Sequence, residues 1–192
     1  MDRLASLIAT RFAIIFFLSG RFFSGKDFSM QYTWLNMPEH NYLIVVDQGK
    51  LAFVGSPDAK LSEATRYIKG PLVFDREEML PFRNAIYDYL SGDSREIAVP
   101  LVFHGTKLQV AVWRYLMTIP YGETRTYKQV AVAVDRPRAF QAIGNAVGRN
   151  PLMMAIPCHR VLRTDGGLGG FRGGLTLKRK LLALEQGQHP TF

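Results

Sequence analysis

The chain has 192 residues, 47% of them hydrophobic and 21% charged, with a net charge of +8; this is the composition of a folded globular protein and excludes a disordered or collagenous chain. Its single cysteine rules out an internal disulfide framework, and four scattered histidines give no C-x2-C or H-x3-H pair, so neither a metal site nor a bound cofactor is expected. The charge is lopsided: residues 106–192 carry 13 Lys and Arg against 4 Asp and Glu, whereas residues 1–105 carry 11 against 12, which places a basic face suited to a polyanion such as nucleic acid in the C-terminal part, with an ordinary solvated face as the alternative.

Residues 1–29 differ from the rest. Arg3 and Arg11 flank the approach to an apolar run, Phe12–Leu18, that imitates a secretory leader. The run is too short to cross a bilayer, which takes about 20 residues, and no small-residue cleavage site follows it. Three readings are ranked: a dispensable extension or upstream start with Met30 as a second initiator, a helix docked on the core, and a targeting segment. No membrane association is expected.

Residues 30–100 read as a small α/β unit. Tyr32–Trp34, Tyr42–Val46 and Leu51–Val54 are rich in β-branched and aromatic residues, and Asp47-Gln48-Gly49-Lys50 predicts a hairpin turn between the last two. Ser62–Lys69 predicts a helix ended by Gly70-Pro71, and Pro81–Leu90 another with Phe82, Ile86 and Tyr89 or Leu90 on one face. Ala98–Phe103 is a candidate strand. No catalytic constellation is visible in this half.

Residues 105–187 form the second unit, with 188–192 as a tail. Thr106 and Gln109 fit a capping box for a helix with Leu108, Val112 and Leu116 on its inner face, ended by Ile119-Pro120-Tyr121-Gly122. Lys128–Val134 and Arg138–Gly148 are two short helices about a turn at Asp135-Arg136-Pro137, with Pro137 placed for a first helical position. The pair predicts a helix-turn-helix, and the small residues Ala139, Ala142, Gly144 and Ala146 would let the second helix approach another surface closely. Asn150-Pro151 stops that helix, and the apolar run Leu152–Ile156 carries Cys158 to the floor of a pocket. Six glycines between 166 and 174 make a loop that is either flexible or ligand-lining. Thr176 is placed to cap a last helix that runs to Glu185.

Cys158 is the candidate nucleophile. Thiolate is the reactive form, and the adjacent His159 and Arg160 are groups that favour it; a lone buried cysteine acting as a small hydrophobe is the plain alternative.

The chain resembles the O6-alkylguanine-DNA alkyltransferase family, the methylated-DNA–protein-cysteine methyltransferases. The resemblance rests on Gly105-Thr106 with Gln109 and Trp113, Ile119-Pro120-Tyr121-Gly122, Thr126-Tyr127, Asn150-Pro151, Pro157-Cys158-His159-Arg160-Val161, the glycine-rich loop and Lys178 to Glu185. It implies an N-terminal ribonuclease-H-like α/β domain followed by a mostly α, winged-helix-like domain bearing a helix-turn-helix. It further implies direct-reversal DNA repair: minor-groove binding of double-stranded DNA, flipping of O6-alkylguanine, and irreversible transfer of the alkyl group to Cys158 in a single turnover, with O4-alkylthymine as a second candidate substrate. Extrusion is needed because the reacting atom is out of reach inside the stack.

The same resemblance assigns roles. Cys158 attacks, His159 acts through a water as its base, Glu185 orients the histidine, Tyr127 turns the target phosphate and bonds the flipped base, and Asn150 ties the helix-turn-helix to the cysteine loop. Thr126, Tyr127, Arg138, Ala139, Gln141, Ala142, Gly144 and Arg149 are the expected DNA contacts. Tyr127, Met153, Cys158, Val161, Gly170, Phe171 and Arg172 are the expected substrate pocket, and Arg160 is expected to bond backbone carbonyls near it. Two positions depart from the family pattern: Gln141 stands where an arginine fills the gap left by the flipped base, and Phe171 where a tyrosine is common. A monomer is expected, with cooperative binding on DNA left open, in the cytoplasm or, in a eukaryote, the nucleus. The competing classes are a DNA-binding module without chemistry, against which Cys158 argues, and a Cys-His hydrolase, which would turn over.

Overall fold

The computed structural model describes residues 30–192; the readings for residues 1–29 lie outside them. Strands β1 (Met30–Asn36), β2 (Asn41–Asp47), β3 (Lys50–Pro57) and β4 (Leu72–Phe74) form one sheet in the order β3-β2-β1-β4. The first three pair antiparallel and β4 lies parallel to β1. The predicted hairpin turn is present: Gln48 and Gly49 both take positive φ, +48° and +72°, the backbone that matches the twist of the flanking strands.

Alternation along β2 explains how the sheet is covered. Tyr42, Ile44 and Val46 face one side with helix α2 (Leu80–Ser91), which contributes Phe82, Ile86, Tyr89 and Leu90, while Leu43 and Val45 face the other with Met30, Phe53 and Ala64. A strand buried on both faces reads as a continuous apolar run, as Tyr42–Val46 does.

Two expectations in this half are corrected. The helix proposed over Ser62–Lys69 is a single turn, α1 (Leu61–Ala64), followed by turns, and Gly70 at φ +131° diverts the chain into β4, a strand too short to show a period. Ala98–Phe103 is not a strand. It makes one bridge, Leu51 to Leu101, with Leu51 N–H donating to Pro100 O at 2.8 Å and Val102 N–H to Leu51 O at 2.9 Å; Pro100 has no N–H to extend the ladder.

In the second half the Thr106–Gln109 capping box opens α3 (Lys107–Leu116) as predicted. Val112, Trp113 and Leu116 are buried, and Trp113 Nε1–H donates to Ala146 O at 2.8 Å, which fastens α3 to α5 (Phe140–Gly148). Leu108 is only half-buried. Strand β5 (Arg125–Thr126) leads into α4 (Tyr127–Ala133) through a second capping box, Thr126 with Gln129, that the sequence reading did not foresee. Helix α5 begins later than expected: Ala139 is its N-cap and is not helical, so Pro137 lies in the α4–α5 turn, where Asp135 at φ +54° sets the bend. Cys158–Arg160 form a 3-10 turn, β6 (Val161–Leu162) pairs parallel with β5, and α6 (Gly174–Glu185) closes the chain. Thr176 sits within the first turn of α6; Gly173 is the N-cap and no side chain caps it.

One buried cluster joins the α2 face of the sheet to α3, α4, α5 and α6. The tail contributes to it: Phe192 is buried, and its carbonyl accepts from Glu39 N–H at 2.8 Å. The cysteine therefore sits where the sheet, α2 and the C-terminal helices meet.

Candidate active site

The segment between α5 and the cysteine is built from a corner of Asn and Pro. Pro151 O accepts Val54 N–H at 3.0 Å, so the corner is moored to β3. Leu152, Met153, Met154 and Ile156 are buried, and the loop tightens at Met154, a non-glycine residue at φ +72°, a backbone region that side chains rarely occupy. Asn150, 1% exposed, holds the loop together: its Oδ1 accepts Leu152 N–H at 2.9 Å, and its Nδ2 donates to Ile156 O at 2.8 Å and to Cys158 Sγ at 3.1 Å. The thiol is 5% exposed. Burial pushes its pKa up, against the hydrogen bond from Asn150 and the positive fields of Arg172 and Lys178. The resting group is a thiol surrounded by features that favour its thiolate.

His159 and Glu185 are brought together from 26 residues apart, with Nε2 to Oε1 at 2.7 Å. The carboxylate collects further donors. Arg160 Nε lies 3.0 Å from each oxygen and its Nη2 2.8 Å from Oε1, Gly122 N–H reaches Oε2 at 3.0 Å, and the Tyr89 hydroxyl reaches Oε1 at 2.6 Å. Burial works against the charged carboxylate, yet the bonds from His159, Arg160 and Tyr89 outweigh it and hold Glu185 down at about 2. His159 is fully buried. Burial lowers its pKa, and the bond to Glu185 only partly offsets that. With Nε2–H donated to the carboxylate, the lone pair resides on Nδ1, which has no hydrogen-bond partner. A neutral imidazole with a free basic nitrogen is the chemistry a general base requires. Arg160 does bond a carbonyl, Ile119 O at 2.5 Å, but its larger engagement is the buried ion pair with Glu185, which the sequence reading missed.

The walls of the site come from three elements. Tyr127, the first residue of α4, is half-buried. Its phenol pKa is raised by burial and by Cys158, which places the hydroxyl within the field of the sulfur. A Cβ on Gly169 would lie 2.9 Å from the Tyr127 ring and 3.0 Å from its hydroxyl, so the glycine-rich loop closes on Tyr127 at Gly169, whereas a Cβ on Gly170 would meet no atom within 4 Å. Phe171 stands edge-on to the His159 ring with centroids 6.5 Å apart. Met153 and Val161 are buried.

Arg172, expected at the pocket, lies close enough for its charge to act on Cys158, while its guanidinium is held by partners from the N-terminal half. It donates to Glu63 Oε1 at 2.6 Å and to Val54 O at 2.6 Å and lies over the Phe53 and Tyr67 rings. A carboxylate, a carbonyl and two aromatic faces outcompete open solvent. Lys178, unremarked in the sequence beyond its place in the motif, is fully buried and donates to Val161 O at 2.6 Å and to Leu168 O. It ties the strand after the cysteine to the glycine-rich loop. Burial pushes its pKa down to about 8, with Cys158 opposing.

The expected DNA contacts divide by exposure. Arg138, Gln141, Ala142 and Arg149 are exposed, Ala139 and Gly144 are half-exposed, and Ile143, Ala146 and Val147 are buried against the core. Helix α5 thus presents an outer face of small and polar residues, with the exposed Phe140 at its start. Thr126 is half-buried and is spent as the cap of α4. One groove of about 620 Å³ lies away from the site, beside Trp34, Phe74 and Arg83, and one of about 660 Å³ adjoins it at Tyr89, Tyr121, Met154 and Arg160; Cys158 lines neither. Among the described residues there is no cluster of three or more potential metal ligands, and no helix is long and apolar enough to cross a membrane.

Comparison with known proteins gives the family and the fold. Residues 107–187 match the family described as the 6-O-methylguanine DNA methyltransferase DNA-binding domain. The inducible methylated-DNA–protein-cysteine methyltransferase of Bacillus subtilis (strain 168) is 36% identical over 163 residues, covering 82% of this chain and 91% of its own. The Haemophilus influenzae methylated-DNA–protein-cysteine methyltransferase is 36% identical over 162 residues, covering 82% and 87%. The Mycobacterium tuberculosis OGT crystallised in complex with DNA superposes with a TM-score of 0.72 at 31% identity, over 84% of this chain and 95% of that one. Its mixed sheet and helices share that fold. With likeness extending through both halves and across nearly the whole length of its relatives, the chain belongs to the methylated-DNA–protein-cysteine methyltransferase family.

Proposed function

We propose that the protein repairs alkylated DNA by moving the alkyl group of O6-alkylguanine to Cys158, irreversibly and once per molecule. The observation that carries the reading is the buried Cys158 thiol. It is held by the Asn150 amide at 3.1 Å and adjoins a His159 imidazole whose Nε2–H is committed to Glu185 at 2.7 Å. Nδ1 of His159 takes the thiol proton through a water, Glu185 keeps the imidazole in the right tautomer, and the thiolate displaces the alkyl carbon from guanine O6. The leaving oxygen is stabilised by the Tyr127 hydroxyl, which burial keeps protonated. The thioether has no hydrolysable bond, so the protein does not turn over.

In this reading residues 30–100 are a ribonuclease-H-like domain and residues 105–187 a winged-helix-like domain whose α4–α5 pair is the helix-turn-helix. The exposed face of α5 enters the minor groove, with Arg138 and Arg149 near phosphates and Ala139, Ala142 and Gly144 small enough for close approach. Gln141 fills the space vacated by the flipped base without adding charge. The partner is double-stranded DNA, O4-alkylthymine is a second candidate substrate, and the protein works as a monomer in the cytoplasm or nucleus. Incubation with a duplex carrying O6-methylguanine tests the reading: one methylene of added mass on the Cys158 peptide, stopping at one equivalent, is expected. Binding without a mass change would leave a non-catalytic module, and continued turnover would leave a hydrolase.

A further inference from the structure

We infer that Tyr89, from the N-terminal half of the chain, is a positioning residue of the active site: by sharing Glu185 with His159 it sets how basic the imidazole is and which of its nitrogens stays free. The inference rests on the proposed role of His159 as the base.

Helix α2 delivers Tyr89, 1% exposed, to the carboxylate oxygen that His159 also bonds. Its hydroxyl donates to Glu185 Oε1 at 2.6 Å and lies 3.3 Å from His159 Nε2. Because the hydroxyl hydrogen is committed to the carboxylate, the oxygen meets the imidazole with its lone pairs. The Nε2–H therefore lies between two acceptors, Oε1 and the tyrosine oxygen, and the lone pair is fixed on Nδ1. Burial, followed by the charge of Glu185, holds the phenol pKa well above its usual range, so Tyr89 remains a donor wherever the protein is folded.

The energetic consequence follows from sharing. A carboxylate oxygen that already accepts a short O–H bond has less negative charge to offer the imidazole proton, so Tyr89 keeps the imidazolium from becoming too stable to release its proton. The other groups around the pair act differently. Arg160 bonds both oxygens and, being a cation, disfavours the imidazolium directly; Gly122 N–H bonds Oε2. Lys178 acts on His159 from α6 with its ammonium on Val161 O and Leu168 O, and Cys158 is the preceding residue. Tyr121 bonds Leu184 O, and its ring carries the guanidinium groups of Arg95 and Arg160 at 5.8 Å each. Among the described residues, Tyr89 is the one uncharged side chain other than His159 that bonds Oε1.

The alternative is that Tyr89 is a core residue whose hydroxyl merely finds an acceptor; its ring does pack edge-on to Tyr121 at 6.3 Å. Tyr89→Phe separates the two, since the ring stays and the hydroxyl goes. The full-length protein is measured in two ways: single-turnover methyl transfer from an O6-methylguanine duplex as a function of pH, and NMR titration of the His159 imidazole before reaction. The expected result is that His159 titrates at higher pH in the variant and the acid limb of the rate profile moves up with it. On that acid limb the variant is then about five-fold slower, converging on the parent at higher pH. The shift should vanish in a Glu185→Gln background. Superimposable titrations and rate profiles overturn the inference, even if the variant melts lower or is uniformly slower. In the parent protein a slowly exchanging Tyr89 hydroxyl proton close to the His159 Nε2 proton is expected, and its absence overturns the inference without any variant. The titration needs no substrate. A shifted imidazole with no methyl transfer in either protein would sink the proposed function alone, and transfer with coincident titrations would sink this inference alone.

Discussion

Asn150 carries more of the site than its size suggests, because one amide bonds two backbone groups and the sulfur. Asn150→Ala leaves Ile156 O and Leu152 N–H without those partners and removes a donor from the thiolate. A hydrogen bond to a charged group is worth about 1.5–3 kcal/mol, so methyl transfer should slow by roughly ten- to hundred-fold, with a lower melting temperature, in single-turnover assays and thermal melts. Gln141 and Phe171 bear on how well the reaction is performed. Gln141 is exposed on α5, so Gln141→Arg, by adding a charge at the gap left by the flipped base, should tighten duplex binding and speed repair. Unchanged rate and affinity remove the idea that the missing arginine matters. Phe171→Tyr should speed transfer if a hydroxyl beside the His159 ring helps the leaving oxygen, and an equal rate shows that Tyr127 and backbone amides suffice.

The elements show how much was legible beforehand and why the rest was not. Cys158 and His159 stand out in the chain as the lone cysteine and its neighbour, whereas Asn150, a plain helix stop, and Glu185, the end of an apolar-periodic helix, are named only through the family resemblance. Tyr89 could be named by neither route, since its hydroxyl meets Glu185 across 96 residues and its sequence context is an ordinary amphipathic helix. Lys178 reads as a surface lysine on α6 until the fold buries it. The Arg172–Glu63 pair was not legible either, because a glycine-rich loop does not reveal which way one long side chain leaves it. The shortened α1 and the late start of α5 are boundary effects, where turn geometry at Gly70 and Asp135 overrides propensity. Gly169 tests the loop at this scale. Its φ of +67° and the 2.9 Å separation of an added Cβ from the Tyr127 ring mean that Gly169→Ala must both strain the backbone and displace the phenol. Loss of about 1–2 kcal/mol in denaturant melts and a slower transfer are expected, whereas Gly170→Ala, in open space, should be mild.

For the molecule as a whole, the Glu185 carboxylate is where α2, the Pro120–Gly122 turn, the cysteine turn and α6 meet, and this gives stability a defined acid limit. Its pKa falls from 4.5 to about 2 on folding. Its contribution is therefore fully present above about pH 4.5 and is lost as pH falls toward 2, because the unfolded chain binds the proton first. Glu185→Gln should flatten the decline of melting temperature across that window, and it should slow alkyl transfer strongly; a fast variant would refute the relay. The two halves are further fastened by Arg172 and Glu63, both largely buried, so Arg172→Ala should loosen the glycine-rich loop and slow transfer while leaving α3 and its capping box intact. The burial of Cys158 has a consequence for the life of the protein before it meets damage. On the proposed single-turnover reading, the protein must not squander its sulfur on peroxide or on stray electrophiles, which consume thiolate. A thiol with 5% of its surface exposed and its pKa raised by burial reacts slowly with reagents in bulk solution, so iodoacetamide should label native protein far more slowly than unfolded protein. Shelf life, in this architecture, is secured by the same floor of packed side chains that aims the sulfur.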